Sequence, residues 1–181
     1  MLTVKTKIIA ISGTTGGGKT TTVNELQKQI PNSIKLSIED GNYIKNSGIT
    51  DLEKWEEEGW DVSLWNLQSL ADDIKLLLRE NYDYIFFDYP FGYMQKQISA
   101  FISLSVYLDT PLDVSLARRI LRDYEEKSAV DILEELAWYL NKRHLFTISN
   151  DFQKNDAELI VDGCLPTDNI CNLILERAKI L

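Results

Sequence analysis

Residues 8–26 read IIAISGTTGGGKTTTVNEL, and this stretch decides the fold. An apolar run comes first, four glycines follow within six residues, and a pattern typical of a helix begins at Lys19. Glycine adopts left-handed backbone conformations and lets other groups approach the backbone closely, at a cost in entropy. The stretch therefore predicts a buried strand, a tight loop and a helix in succession.

The loop has the spacing of a phosphate-binding motif. Residues 13–20, GTTGGGKT, match the pattern G-x-x-x-x-G-K-[ST], in which backbone N–H groups and the helix N-terminus cradle phosphates. Lys19 would place its charge on the β- and γ-phosphates, and Thr20 would offer a hydroxyl to Mg²⁺. The predicted nucleotide-binding residues are Gly13, Thr14, Thr15, Gly16, Gly17, Gly18, Lys19, Thr20 and Thr21.

Strand and helix patterns alternate along the rest of the chain. Short apolar runs predict five strands, at residues 7–12, 33–38, 82–87, 101–108 and 157–161. Helices are predicted at residues 19–29, 50–57, 62–79, 111–126, 129–148 and 166–179, with Thr50 and Glu53 forming a capping box. Because strands alternate with helices, we expect a parallel sheet in one α/β domain over residues 1–181.

Charge and composition limit the class of protein. The net charge of −9 argues against a nucleic-acid-binding protein, which needs a basic surface. No stretch approaches the ~20 apolar residues of a membrane span, and the first residues, MLTVKTK, lack the apolar segment of an export signal. The two cysteines have no metal-ligand spacing. We therefore expect a cytoplasmic protein that binds neither membranes nor nucleic acid.

Two acidic segments follow predicted strands and are candidates for the chemistry. Asp88 ends an apolar strand in YIFFDYPFGY, where it could bind Mg²⁺ directly or through water. Asp40, in SIEDGNY, ends the second strand and could accept a proton from an acceptor hydroxyl. Glu39 competes with Asp40 for that role, and an ordinary Asp-Gly turn is the simpler alternative.

An arginine-rich helix is a candidate lid over bound phosphates. Arg118 and Arg122 in LARRILRDYEEK are four residues apart and share a helix face, with Arg119 beside them. On a mobile segment at residues 115–130 they could close over the phosphates and neutralise developing charge. The alternative is that they only pair with nearby acids on a solvated face.

These motifs together resemble a known group. The phosphate-binding loop, SIEDGNY, YIFFDYPFGY, VYLDTPLDVSLARRILRDYEE and NDAELIVDG occur in the order seen in the uridine kinase and phosphoribulokinase branch of P-loop kinases. The resemblance covers most of the chain. It implies a three-layer α/β/α P-loop kinase fold with a five-stranded parallel sheet in the order 2-3-1-4-5, and a helical lid that closes on ATP.

The resemblance also implies roles for individual residues. It maps a catalytic aspartate onto Asp40, a substrate-contacting tyrosine onto Tyr43, and ATP-contacting lid arginines onto Arg118, Arg119 and Arg122. Family members commonly carry glutamate where Asp88 stands, so Asp88 is a candidate for either metal or substrate binding. Members of this branch often form homo-oligomers. The resemblance therefore implies that this chain can also form a homo-oligomer.

Aromatic residues are candidates for the walls of an acceptor pocket, since rings can stack on a nucleobase. Tyr43 and Tyr93 are the preferred candidates because they fall in predicted active-site loops. The others are Trp55, Trp60, Trp65, Tyr89 and Phe91. The tryptophan spacing of five does not place all three on one helix face, and core packing is the alternative for each.

The sequence therefore favours a small-molecule kinase that uses ATP and Mg²⁺ to phosphorylate a nucleoside-like hydroxyl. A nucleotide-dependent switch is the alternative, although no Asn-Lys-x-Asp motif is present and Tyr89, not glutamate, follows Asp88. A degenerate kinase that binds nucleotide without turnover is a third reading.

Overall fold

The computed structural model describes residues 6–180. Residues 1–5, on which part of the expectation about an export signal depends, and residue 181 lie outside the described residues, as do the two ends of the expected 1–181 domain. The described strands are β1 Lys7–Gly13, β2 Ser33–Ser37, β3 Tyr84–Asp88, β4 Leu104–Asp109 and β5 Leu159–Asp162. The helices are α1 Lys19–Gln29, α2 Leu52–Glu57, α3 Gln68–Leu77, α4 Lys96–Ser99, α5 Leu112–Asp123, α6 Ala129–Asp156 and α7 Thr167–Lys179.

The five strands form one parallel sheet in the order β2-β3-β1-β4-β5. The expected order is confirmed. β1 lies at the centre, with Ile9 paired with Phe86 of β3 on one side and with Leu104 of β4 on the other. Because β1 is covered on both faces, its apolar residues form a continuous run rather than an alternating one.

The sheet separates two hydrophobic cores. On one face Leu70 and Ile74 of α3 pack over Phe87. On the other face Leu26 of α1 and Ile174 of α7 pack over Phe86. Neighbouring residues of β3 thus face opposite cores, as the alternation of side chains along a strand requires. The result is a three-layer α/β/α arrangement that brings the carboxyl ends of all the strands to one edge.

One predicted helix, residues 62–79, was wrong in its first third. The chain forms a 3-10 turn at Val62–Leu64, and α3 begins only at Gln68. Asn66 donates its backbone N–H to the Ser47 carbonyl at 2.8 Å, and Leu67 donates to the Gln97 side chain at 2.8 Å. These tertiary hydrogen bonds replace the bonds that a continuous helix would have made.

Two helix ends also differ from the prediction. The N-cap of α2 is Asp51, not Thr50, and its carboxylate accepts the Lys54 N–H at 3.0 Å. α6 continues past residue 148 to Asp156, because Gln153 near its end accepts the backbone N–H of Gly13 at 2.8 Å.

The outer face of α6 exposes Val130, Leu133 and Leu140. The expected homo-oligomer stays a prediction. Among residues 6–180, no helix combines the length and apolar character that crossing a bilayer requires.

Candidate active site

The glycine loop between β1 and α1 is held in a curved shape. Gly18 lies directly before α1 with a φ of 99°, in the left-handed region. The Gly17 N–H donates to the Thr14 carbonyl at 2.9 Å, and the Lys19 ammonium donates to the same carbonyl at 3.2 Å. The loop therefore directs free N–H groups of the first helical turn to the carboxyl edge of the sheet.

The Lys19 ammonium lies in an environment that disfavours its charge. Burial lowers the pKa of Lys19, and the carboxylates of Asp88 and Glu39 oppose that shift. A triphosphate at this position would supply the negative charge that the buried ammonium lacks.

Thr20 and Asp88 form a pair of oxygen ligands beside the loop. The Thr20 hydroxyl donates to the Asp88 carboxylate at 2.7 Å, and Asp88 is buried at the end of β3. Hydroxyl and carboxylate oxygens are the donors that Mg²⁺ prefers, usually with phosphates and water completing its shell. The residues present therefore fit a magnesium ion shared with a nucleotide.

A polar cavity of about 470 Å³ surrounds the glycine loop. The glycine loop forms its wall on one side, and α5 with the β5–α7 connection forms its wall on the other. Its lining residues are Thr15, Gly16, Gly17, Gly18, Lys19, Thr20, Thr21, Thr22, Glu39, Asp88, Arg118, Arg122, Gly163, Leu165, Thr167 and Ile170. Of the predicted nucleotide-binding residues, Gly13 and Thr14 line a second cavity instead.

This second cavity, the aromatic cavity, is smaller, about 220 Å³, and five aromatic side chains contribute to its mostly apolar lining. Its lining side chains include Trp55, Trp60, Trp65, Phe91, Phe146, Leu145, Ile44, Leu52, Glu39, Glu56, Ser149 and Gln153. The two cavities share Thr15, Lys19, Glu39 and Asp88. They therefore meet at the lysine and the two carboxylates, which is the geometry needed for a group to pass from one ligand to another.

The three tryptophans gather in the wall of this aromatic cavity, although their spacing did not place them on one face. Trp55 lies 4.8 Å from Trp60 and 5.3 Å from Trp65 between ring centroids, and Trp65 lies 4.9 Å from Phe91. They meet because the chain turns between α2 and α3 instead of continuing as one helix. All three are buried, so core packing and cavity wall are the same arrangement here.

Trp60 is under conformational strain. Its φ of 62° lies in the left-handed region, which is rare for a bulky side chain and costs about 1–3 kcal/mol. The indole N–H groups of Trp60 and Trp65 are buried without a hydrogen-bond partner among the described residues. Such features concentrate at ligand sites, where a ligand or water supplies what the fold leaves unpaired.

The family follows from comparison with known proteins. A family model described as Phosphoribulokinase / Uridine kinase family matches residues 68–170, more than half of the 181 residues. The chain belongs to this family. It is therefore a P-loop kinase, a phosphotransferase that acts on a hydroxyl group.

Relatives of this family are similar over two thirds of the chain. The uridine kinase of Borrelia turicatae is 28% identical over 145 residues, which cover 67% of this chain and 69% of that protein. The uridine kinase of Ureaplasma urealyticum is 28% identical over 146 residues, with 67% and 70% covered.

Solved kinase structures share the fold. The shikimate kinase of Aquifex aeolicus superposes with a TM-score of 0.53 at 17% identity, over 95% of this chain and 96% of that one. The deoxyadenosine kinase of M. mycoides with bound dATP gives 0.54 at 19% identity, over 96% and 99%. At such identities these structures support the fold alone.

Of the two acids after β2, Glu39 is the one that reaches both cavities. Both side chains are exposed, and both line a small side cavity with Thr20 and Asp88, but Asp40, to which the family resemblance gives the catalytic role, lines only that one. The Glu39 charge acts on the pKa of Lys19, which places this carboxylate near the ammonium. The structure therefore brings Glu39, rather than Asp40, to the junction of the two cavities.

Two of the three lid arginines lie at the polar cavity. Arg118 donates to the Gly163 carbonyl at 3.1 Å, and Arg122 pairs with Asp123 at 2.6 Å. Both line the polar cavity from α5, four residues apart on one helix face. The segment expected to form a lid, residues 115–130, is helical through Asp123, followed by a short turn before α6. That it closes over a nucleotide stays a prediction.

Arg119 is turned away from the polar cavity. Its guanidinium pairs with Glu135 and lies 5.6 Å from the ring centres of Trp138 and Phe146, and 5.8 Å from that of Tyr139. These contacts join α5 to α6. The structure does not bring Arg119 to the predicted nucleotide site, because α5 points successive residues in different directions.

The two predicted substrate-binding tyrosines pack against the core that contains the three tryptophans but do not line the aromatic cavity. Tyr43 donates to Asp73 at 2.5 Å, and burial together with this bond raises the pKa of Tyr43 to about 12. Tyr93 donates to Glu158 at 3.0 Å near β5. Neither residue is among those that line the aromatic cavity, and neither is Tyr89.

Several residues that line the aromatic cavity were not predicted from the sequence. Gln153 and Phe146 come from the part of α6 that packs against the sheet, and Glu56 comes from α2. None belongs to a motif, so only the tertiary placement of α6 and α2 identifies them. His144, the only histidine, is exposed on α6.

Proposed function

We propose that this kinase transfers the γ-phosphoryl group of ATP to a hydroxyl of a nucleoside-like acceptor, with Mg²⁺ as its metal. The observation that carries the proposal is the meeting of the two cavities at Lys19, Glu39 and Asp88. One cavity has the N–H groups and cations that bind phosphates. The other has the rings that bind a base.

ATP occupies the polar cavity in this proposal. Its β- and γ-phosphates lie against the N–H groups of the glycine loop and the Lys19 ammonium. Thr20 and Asp88 hold Mg²⁺, which when bound neutralises charge on the β- and γ-phosphates. Arg118 and Arg122 approach from α5 and stabilise the negative charge of the transferring group.

The acceptor occupies the aromatic cavity. Relatives named uridine kinases support a nucleoside-like molecule, and the tryptophan walls suit a flat ring. The hydroxyl oxygen of the acceptor forms a bond to the γ-phosphorus, and the bond from that phosphorus to the bridging oxygen breaks to release ADP. The Glu39 carboxylate orients the hydroxyl and takes its proton. In this proposal Asp40 does not take the proton; it lies in the side cavity, beside Thr20 and Asp88.

The test is a coupled ADP-release assay with MgATP across nucleosides, other ribosides and small sugar alcohols. The expected result is ADP release that rises several-fold with a nucleoside and falls to background in Lys19→Met. ATP binding with no acceptor-stimulated turnover across the panel would contradict the proposal. A protein that bound only the ATP-loaded form would then support the nucleotide-dependent switch.

A further inference from the structure

Glu56 is an acidic side chain in the wall of the aromatic cavity that no phosphate chemistry requires. It lies on α2 next to Trp55 and is half-buried. Among residues 6–180, the ion pairs around α2 engage Glu53, Glu57 and Glu58 and leave out Glu56. A half-buried carboxylate that pairs with no protein group takes its hydrogen bonds from water, and a ligand that displaces this water must supply an N–H or O–H in its place.

The nearest cation does not satisfy this carboxylate. The Lys142 ammonium on α6 pairs with Glu53 and, at 2.5 Å, with Glu57. Glu53 and Glu57 lie on the same helix as Glu56, and their carboxylates, not that of Glu56, pair with Lys142. Consistent with that arrangement, burial and the Glu53 charge raise the pKa of Glu56 against the weaker opposing effect of Lys142.

The charges that line the aromatic cavity are mostly negative. Three acids, Glu39, Glu56 and Asp88, line it. Among the described residues, Lys19 is the one basic residue in this lining. Lys19 lies at the glycine loop, where the phosphates of ATP would engage it. An acceptor that carried its own carboxylate or phosphate would therefore meet like charge in this cavity, which disfavours its binding.

We propose that Glu56 determines which acceptors this site takes: it accepts a hydrogen bond from an N–H or O–H of an uncharged acceptor and excludes acceptors with an anionic group on the ring. This inference rests on the proposed function, because it treats the aromatic cavity as the acceptor site. Rejection of the wrong ligand by an unpaired or repelled charge is a recognised route to specificity.

The test compares two nucleosides that differ by one ring carboxylate, uridine and orotidine. Their binding to the chain in the presence of MgADP is followed by tryptophan fluorescence, since three tryptophans line the cavity. MgADP allows no turnover, so the readout is binding alone. The variants are Glu56→Gln and, as a matched control, Glu58→Gln, whose side chain is exposed at the end of the same helix.

The wild type should bind uridine at least about tenfold more tightly than orotidine. Glu56→Gln should reduce this ratio of affinities several-fold, because it weakens the binding of uridine and strengthens the binding of orotidine. Glu58→Gln should keep the wild-type ratio. An unchanged ratio in Glu56→Gln, an equal change in Glu58→Gln, or binding of neither nucleoside would overturn the inference. Charge-selective binding without acceptor-stimulated ADP release would leave the inference standing while the proposed function fails.

Discussion

Lys19 is positioned to bind a ligand, and this position lowers the stability of the ligand-free protein. Burial lowers its pKa, so the charged ammonium destabilises the folded state below that lowered value. The penalty disappears as the pH rises towards 10.5, the ordinary lysine value. A bound triphosphate would offset the penalty directly.

Lys19→Met should therefore separate activity from stability. We expect kcat to fall by about 10²-fold or more, while the melting temperature at pH 7 stays equal to or above that of the wild type. Any excess should shrink as the pH rises towards 10.5. Steady-state kinetics and thermal melts at pH 7 and pH 10 measure both effects. A melting temperature well below that of the wild type at pH 7 would show that Lys19 is structural.

The adjacent acids Glu39 and Asp40 make a second prediction at this scale. Because Glu39 lines both cavities and Asp40 lines only the side cavity, Glu39→Gln should lower kcat by about 10²-fold or more, and Asp40→Asn by clearly less. Each variant removes one negative charge, so each serves as the control for the other. The opposite ranking in acceptor-dependent ADP release would return the catalytic role to Asp40.

At the scale of elements, the contact between the glycine loop and α5 connects nucleotide binding to the lid. Gly16 has a φ of 76°, and a Cβ added there would collide with the Ser115 carbonyl in the first half of α5. A side chain at this position must displace either the loop or the helix. Arg118 and Arg122 follow Ser115 on the same helix, so their position depends on this contact.

Gly16→Ala should therefore destabilise the protein and weaken ADP binding by about tenfold or more. Gly48→Ala is the matched control, since Gly48 has a similar φ of 89° but open space around it. Both variants incur about 1–2 kcal/mol for a left-handed alanine, and only Gly16→Ala adds the collision. Urea denaturation and ADP titration measure the two effects. Equal losses in the two variants would exclude the collision as a cause.

The elements predicted correctly were those specified by local signals. The apolar run before Gly13, the loop motif and Pro111 before α5 indicated β1, α1 and α5 to within a few residues. The failures came from tertiary bonds. Ser47 and Gln97 interrupt the helix predicted at residues 62–79, and no sequence pattern encodes a partner 19 or 30 residues away along the chain.

The candidate site divides in the same way. The phosphate side could be predicted because a short motif contains most of it. The aromatic side could be predicted in part: Trp55, Trp60, Trp65 and Phe91 were candidate walls, and all four line the cavity. Phe146, Gln153 and Glu56 could not be predicted, because no motif marks them and only the packing of α6 and α2 brings them to the cavity. Arg119 and Tyr43 were assigned from the family resemblance, and Tyr93 from its place in a predicted active-site loop. Each side chain instead pairs with an acid elsewhere, namely Glu135, Asp73 and Glu158.

At the scale of the whole molecule, one sheet with a core on each face predicts a single cooperative unfolding transition. Nucleotide binding draws on β1, β3, α5 and the loop after β5, so it should stabilise the fold as a unit. At 100 times its dissociation constant, MgADP should add about 2.7 kcal/mol. That corresponds to a rise of about 5–10 °C in melting temperature for a domain of this size.

Differential scanning calorimetry with and without MgADP measures this shift, and Lys19→Met is the control that should show a much smaller one. Two separate transitions, of which only one moved with ligand, would contradict the expectation of one domain.

The central claim is that a phosphoryl group passes from the polar cavity to the aromatic one. The most direct measurement follows isotopically labelled γ-phosphate from MgATP in the presence of uridine and a panel of other nucleosides, with products separated by mass. The account predicts label in a nucleoside monophosphate, dependent on Mg²⁺ and lost in Lys19→Met. Label that stayed in ATP or appeared only as inorganic phosphate with every nucleoside would contradict it.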